Sequence, residues 1–372
     1  MAKYRIALMP GDGIGRDVME AAGLVLDRIG LDADYPKGDI GWDFWRSEGD
    51  PLPLRTVELL QTCDCALFGA ITSRPPDEAQ AELAPELRRA GRVYRSPIVR
   101  LRQEFDLYVN LRPCRAIPGN PLNHREDIDL TIFRENTEGL YAGVEFHPLP
   151  ERVRRALEAA SPEMGAFAEH ASADMALSCR VFTRQACRRI LHRAFEYAAQ
   201  EGYKTVTVVE KPNVIRATSG LMVREAREVS AHYGGVELQE ANVDAMTMWL
   251  VKKPQEYGVL VSSNMFGDIL SDLAAQLVGG LGFAPSGNIG EEFAVFEPTH
   301  GSAPKYAGQY VANPIAMLLA VKLMLEWLRE KEAAAALEAA IDRVIAEGKV
   351  RTQDMGGDST TIEMAEAVAR RL

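Results

Sequence analysis

The sequence predicts an α/β protein divided into two domains, and three observations carry that expectation. The apolar run Tyr4-Arg5-Ile6-Ala7-Leu8-Met9 breaks at Pro10-Gly11-Asp12-Gly13-Ile14-Gly15. Val18, Ala21, Ala22, Val25 and Leu26 then recur at helical spacing, so the opening reads as strand, glycine-rich turn and helix. A second strand-like run, Cys65 to Ala70, follows a helical segment near 53–62 and repeats the unit, as a parallel layer requires. Finally, 372 residues with 47% hydrophobic content exceed one ordinary core, which tends to divide beyond about 250–300 residues.

Composition narrows the function. Forty-two Lys and Arg against 53 Asp and Glu give a net charge of −11 without a long basic block, which argues against nucleic acid or an anionic membrane as partner. Anionic ligands therefore need local basic clusters. The five cysteines are scattered, and no secretory signal precedes the first strand, so a reducing cytoplasm is expected. Cys63 and Cys65 read as core thiols. No apolar run approaches the ~20 residues of a membrane span, so the expectation is a soluble protein.

The first turn lacks the G-x-G-x-x-G spacing of the dinucleotide fingerprint and is weak evidence for it. Residues 73–93 are charged and Pro-containing and read as an exposed loop with a helix. Arginines then gather at 95, 100, 102, 112, 115 and 134. Arg95, Arg100 and Arg115 read as ion pairs on a helix face. Arg102, Arg112 and Arg134 each follow or enter an apolar segment, where an idle charge is costly, and are candidates for holding carboxylates by paired guanidinium bonds. The strand Asp129 to Phe133 feeds the polar burst Arg134-Glu135-Asn136-Thr137-Glu138-Gly139-Leu140-Tyr141, the kind of strand exit where ligands are met.

Residues 147–178, rich in Pro, Ala and charge with a helical pattern over Val153 to Ala160, read as an insertion or arm. Arg184 to Tyr197 is an amphipathic helix, and Thr205 to Val209 a β-branched strand ending in Glu210-Lys211-Pro212-Asn213. Lys211 is either an exposed lysine, the commoner case, or a buried functional one. The apolar strand 259–263 breaks at Asn264-Met265-Phe266-Gly267 and continues as a helix that projects Asp268 and Asp272 from one face, with Ile269, Leu270 and Leu273 for the other. Like charges at this spacing cost a few tenths of a kcal/mol, so the pair needs a cation or a solvated position. One reading is a solvated acidic face. The other adds Asp244, from Val243-Asp244-Ala245, and, with no His or Cys nearby, makes an all-oxygen set for Mg²⁺ or Mn²⁺ rather than Zn²⁺. The glycine run 279–290 reads as a loop that lets the backbone approach something closely. Ala294 to Glu297 runs into Pro298-Thr299-His300-Gly301-Ser302-Ala303-Pro304-Lys305-Tyr306-Ala307-Gly308, and helices at 314–330, 332–347 and 361–371 close the chain.

Four stretches in this order and spacing, Pro10 to Gly15, Arg134 to Tyr141, Asn264 to Asp272 and His300 to Gly308, resemble the isocitrate/isopropylmalate dehydrogenase family of β-decarboxylating dehydrogenases across essentially the whole chain. The resemblance implies a fold that is not Rossmann: a mixed sheet with helices on both faces. It also implies a large domain of residues 1–107 and 279–372, a small domain of 108–138 and 184–278, and an arm at 139–183 that clasps a second subunit. Metal-dependent oxidation and decarboxylation of a 2-hydroxy acid follows, in a homodimer with shared active sites. Asp268 and Asp272 match the metal ligands, with Asp244 from the other subunit. Lys211, also from the partner, matches the residue that takes the hydroxyl proton, and Tyr141 the acid that protonates the enolate; a cation-rich pocket is expected to lower both pKa values. Arg102, Arg112, Arg134 and Asn213 match substrate-binding positions.

For the cofactor, Glu297, His300, Gly301, Ser302 and Ala303 match the family's dinucleotide loop, together with Lys305, Tyr306 and Asn313. NAD enzymes of the family carry Asp then Ile where this chain has Lys305 and Tyr306, which implies NADP over NAD, although the C-terminal Tyr and Arg often found in NADP-specific isocitrate enzymes fall nearest Gln353 and Gly357. The pair Ser96 and Ile98 is mixed: Ser suits a distal carboxylate, and an apolar residue suits an isopropyl group. The segment 96–102 also resembles homoisocitrate dehydrogenases, whereas Tyr141-Ala142-Gly143-Val144-Glu145 leans towards isocitrate enzymes. Isocitrate with NADP is the expectation, with homoisocitrate and 3-isopropylmalate as alternatives. The family also contains regulatory subunits without catalysis, but every matched catalytic and metal position is present here.

Overall fold

The computed structural model describes residues 2–372. The chain opens with β1 (Tyr4–Gly11), α1 (Ile14–Ile29), β2 (Ala33–Asp34), α2 (Trp42–Glu48), α3 (Leu54–Leu60) and β3 (Cys65–Ala70), then the short helices α4 (Pro76–Glu82), α5 (Pro85–Arg89) and α6 (Pro97–Glu104). Strands β4 (Val109–Arg115) and β5 (Asp129–Glu135) precede a two-stranded ribbon, β6 (Glu145–Phe146) with β7 (Leu177–Ser178), between which lies α7 (Glu151–Ala160). Helix and strand then alternate: α8 (Arg184–Glu201), β8 (Thr205–Glu210), α9 (Thr218–Ser230), β9 (Glu237–Asn242), α10 (Val243–Lys252), β10 (Val259–Ser262) and α11 (Asn264–Leu277). The hairpin β11 (Pro285–Ile289) and β12 (Ala294–Pro298) leads to α12 (Ile315–Trp327), α13 (Lys331–Glu347) and α14 (Thr361–Ala369).

Ten strands make one mixed sheet, ordered β2-β1-β3-β12-β11-β4-β5-β10-β8-β9. Two parallel blocks flank an antiparallel centre in which β12, β11, β4 and β5 reverse in turn, so the blocks run in opposite senses. Parallel strands covered on both faces should be apolar throughout, and every residue of β3 is buried. Helix α12 has apolar residues all round and nine of its thirteen positions buried, as a helix in the core requires. Thr183 starts α8 by accepting the Ala186 N–H at 3.1 Å, and Thr360 with Glu363 forms a reciprocal cap on α14. Two glycines permit approaches no side chain allows. Gly13, at φ +54°, would place a Cβ 2.0 Å from the Ser302 carbonyl, and a Cβ on Gly267 would lie 2.8 Å from the Arg134 side chain.

The structure corrects four expectations. The run 279–290 is not wholly a loop: residues 285–289 are β11, buried between β4 and β12. Its small residues suit a strand whose neighbours supply the bulk, as Phe296 does against Gly287. Ile269 does not join the core. It is 53% exposed, and with Met265 at 37% it leaves an apolar stripe on α11 facing outward. Arg95 is exposed just before α6 and forms no ion pair among the described residues, whereas Arg100 binds Asp50 and Glu104, and Arg115 binds Glu338 and Asp342. The charged stretch 73–93 holds two helices rather than one, and α2 arises from an aromatic segment whose Trp45 is fully buried. Among the described residues no helix is long and apolar enough to cross a membrane, and all five cysteines are free.

Candidate active site

The arginines come together because β4 and β5 pair antiparallel with Asn110 opposite Arg134 and Arg112 opposite Ile132. At a period of two, Asn110, Arg112 and Arg134 share one sheet face, and α11 packs over it. Arg112 donates through Nη1 to Ser271 Oγ at 2.5 Å and Asp272 Oδ1 at 3.0 Å, and its Nη2 lies 3.4 Å from Asp268 Oδ1. Arg134, 2% exposed, donates to Asp268 Oδ1 at 2.5 Å and to the Asn264 carbonyl at 3.0 Å, and its guanidinium lies 5.2 Å from the Tyr141 ring centre. Arg102, on α6, donates to Asn288 Oδ1 at 2.9 Å, with Glu297 at 3.6 Å. Tyr141 completes the cluster by donating its hydroxyl to Asp268 Oδ2 at 2.9 Å.

Three buried guanidiniums in mutual repulsion are not there for stability. Removing each from water costs several kcal/mol, which only well-placed partners offset. Burial first, and the neighbouring arginines next, pull the Arg134 pKa down, and burial pulls Arg102 down as well. Both stay cationic, since guanidinium is not deprotonated in proteins. Such a concentration of donors is suited to a ligand with several carboxylates.

One expectation about charge is met here and another is overturned. Asp268 and Asp272 need a cation or a solvated position by their spacing, and Arg134 and Arg112 pair with them; these partners come from strands over 130 residues away in sequence. The Tyr141 pKa is raised rather than lowered, because burial and then the Asp268 charge outweigh the pull of Arg134. Tyr141 is thus held protonated, the form a proton donor needs.

The remaining predicted residues form two further groups. Lys211 leaves the end of β8 and pairs with Asp244 of α10 at 2.5 Å; Asn213 is exposed on the turn just beyond. Among the described residues, no hydrogen bond or ion pair joins this group to the arginine cluster, and no set of three His, Cys, Asp or Glu side chains converges as a metal site. Asp268 and Asp272 do share one face of α11, and their donors are all oxygen, which fits Mg²⁺ or Mn²⁺ better than zinc. Ser96 precedes α6, partly exposed, and its hydroxyl makes no hydrogen bond among the described residues.

The third group lines a cavity of about 380 Å³ bounded by His300, Ala303, Tyr306, Asn313, Gln353 and Asp354. The His300 ring is partly exposed, yet its Nε2 is buried without a partner among the described residues, and burial lowers its pKa so that the ring is neutral. Asn313 donates to Asp354 Oδ2 at 3.0 Å. Ser302 is buried against Thr72, hydroxyl to hydroxyl at 2.7 Å, beside exposed Gly301. Lys305 is exposed, its Nζ 4.6 Å from the Tyr306 ring centre at the rim. Glu297 reaches from β12 to Asn288 Nδ2 at 2.6 Å. Asp354 and Asn288 were not anticipated. Asp354 follows Gln353 without any local pattern, and Asn288 lay hidden in the glycine run.

A family model for isocitrate/isopropylmalate dehydrogenase matches residues 5–368. A 3-isopropylmalate dehydrogenase of Methanothermobacter thermautotrophicus is 43% identical over 100% of this chain and 99% of its own length. An isocitrate/homoisocitrate dehydrogenase of Thermus thermophilus is 41% identical over 99% of this chain and 98% of its own. The Legionella pneumophila protein DlpA is 40% identical over 98% of this chain, which spans only 58% of that protein's length. Among solved structures, isocitrate dehydrogenase from Methylococcus capsulatus superposes with a TM-score of 0.85 at 37% identity, covering 99% of both chains.

Proposed function

The chain belongs to the isocitrate/isopropylmalate dehydrogenase family, and on that premise we propose that it oxidises and decarboxylates isocitrate to 2-oxoglutarate with NADP. The family acts on small hydroxy acids with NAD(P) and Mg²⁺ or Mn²⁺. The observation that carries the substrate class is the convergence of Arg102, Arg112 and Arg134 beside Asp268 and Tyr141. Arg102, Arg112 and Arg134 hold the malate-type carboxylates, and Asn213, on the turn beyond Lys211, is a further substrate-binding residue. Lys211 of the partner subunit takes the C2 hydroxyl proton, and a bound nicotinamide would accept the C2 hydride. The β-keto acid loses CO₂, and Tyr141 donates its proton to C3 of the resulting enolate. Asp268, Asp272 and Asp244 of the partner subunit would hold a divalent cation, which would supply Lewis-acid stabilisation of the negative charge that develops on the substrate. Comparing kcat/KM for isocitrate, homoisocitrate and 3-isopropylmalate with Mn²⁺ tests the substrate; purified protein inert alone with all three would favour a regulatory subunit.

Ser96 supports isocitrate, since its unpaired hydroxyl suits a distal carboxylate. Ser96→Ala is expected to cost about 1–3 kcal/mol of tricarboxylate turnover, the worth of a bond to a charged group, and to leave 3-isopropylmalate almost unaffected. An equal loss on all three substrates would assign Ser96 a structural role. A second reading rests on Ile98, which packs partly buried against the core and offers an apolar wall to an isopropyl group. The panel separates the two.

Lys305 and Tyr306 support NADP. A cation and a hydroxyl donor at the cavity rim favour a group of charge about −1.5 to −2, where a carboxylate would repel it. Lys305→Asp combined with Tyr306→Ile is expected to swing the kcat/KM ratio towards NAD. An unmodified protein that already prefers NAD tenfold, about 1.4 kcal/mol the wrong way, refutes the assignment.

A further inference from the structure

Asn288 lies within β11, fully buried, and its single amide is shared by four segments of the chain. Its Oδ1 accepts from Arg102 Nε at 2.9 Å, Asn110 Nδ2 at 2.9 Å and Asn136 Nδ2 at 3.0 Å. Its Nδ2 donates to Glu297 Oε1 at 2.6 Å and to the Val295 carbonyl at 3.3 Å. The orientation is forced: Arg102 only donates and a carboxylate only accepts, so the oxygen faces one and the nitrogen the other. Arg102 Nη2 and Glu297 Oε1 are 3.6 Å apart, beyond hydrogen-bond range, which leaves Asn288 as the hydrogen-bonded link between them.

We propose that Asn288 is a positioning residue that couples hydroxy-acid binding to dinucleotide binding. The inference rests on the substrate role proposed above for Arg102 and on Glu297 serving the dinucleotide, as its match to the family's dinucleotide loop implies. A substrate carboxylate competes with Glu297 for the Arg102 guanidinium. Once it has taken that charge, the Glu297 carboxylate is released to accept from the dinucleotide's hydroxyls, and Asn288 is what holds it in place to do so, so a bound hydroxy acid favours the dinucleotide. Coupling of this kind is reciprocal, so either ligand should tighten the other by the same factor.

Fluorescence titration of NADPH with Mn²⁺, with and without isocitrate, reads the coupling directly, because the hydroxy acid cannot pass a hydride to a nucleotide already reduced. The unmodified protein is expected to bind NADPH at least about fivefold more tightly with isocitrate present. Asn288→Asp keeps an acceptor towards Arg102 but sets an oxygen against Glu297, and should bring the ratio to within about twofold of one. Asn288→Asp with Glu297→Gln reverses donor and acceptor across the same contact and should restore the ratio. Should the buried carboxylate prevent folding, Asn288→Ser, whose hydroxyl cannot span both partners, should show the same loss of coupling. A ratio near one in the unmodified protein overturns the proposal, and so does a variant that weakens both ligands equally with the ratio kept, which is what a merely structural asparagine predicts. A protein inert towards every substrate of the panel removes the functional reading, and this inference with it; an active protein with uncoupled ligands removes the inference alone.

Discussion

Asp268→Asn is expected to lower kcat/KM by on the order of a thousandfold or more, the scale of losing several kcal/mol of transition-state charge stabilisation. Asp268 touches three proposed components at once. One oxygen receives Arg134 at 2.5 Å and lies 3.4 Å from Arg112, while the other receives the Tyr141 hydroxyl at 2.9 Å. Asparagine keeps the size and one acceptor but removes the charge a divalent cation needs. Stability should fall less. Arg134 remains buried beside a weaker partner, but the Asp268 side chain is 34% exposed and solvent screens part of the loss, which leaves about 1 kcal/mol. Thermal unfolding and Mn²⁺ titration of the variant separate the two effects: a folded protein that no longer binds Mn²⁺ is the expected result. Full activity of the unmodified enzyme in excess chelator would falsify the metal assignment.

The parts of this site legible in the sequence were those whose chemistry conflicts with their local surroundings. Arg112 and Arg134 stand in apolar strands, and a charge there demands a partner or a ligand, so both could be picked out without knowing the partner. Strand, turn and helix at residues 4–29 were readable because period and glycine chemistry agree. What escaped was set by residues far away in the chain. Small residues at 285–289 give no strand signal by themselves, and β11 exists because β4 and β12 flank it. Likewise, Asp268 and Asp272 looked unpaired until the sheet register delivered Arg134 and Arg112, and the direction of the Tyr141 pKa depended on which charge stands closest.

Mixing two inactive variants, Tyr141→Phe and Lys211→Met, is expected to restore activity if subunits exchange. The motivation is that the two side chains pair with different partners within one chain: Lys211 is bound to Asp244, Tyr141 to Asp268, and among the described residues no hydrogen bond or ion pair links the pairs. Both act on one substrate in the proposed reaction, and in the shared-site proposal a second copy of the chain brings its own Lys211 to this Tyr141. The outward apolar residues support that pairing, with Met248 and Val251 on α10 and Met265 and Ile269 on α11 between 37% and 53% exposed, a stripe that an isologous contact would bury. In a two-fold dimer, random exchange of equal amounts puts half the chains into mixed dimers, each with one intact site and one doubly impaired, so recovery should approach roughly a quarter of the unmodified activity. Size-exclusion chromatography with light scattering should find a dimer, and exchange itself can be followed with tagged subunits. If exchange is demonstrated and no activity returns, Tyr141 and Lys211 act from the same chain, and the shared-site assignment fails.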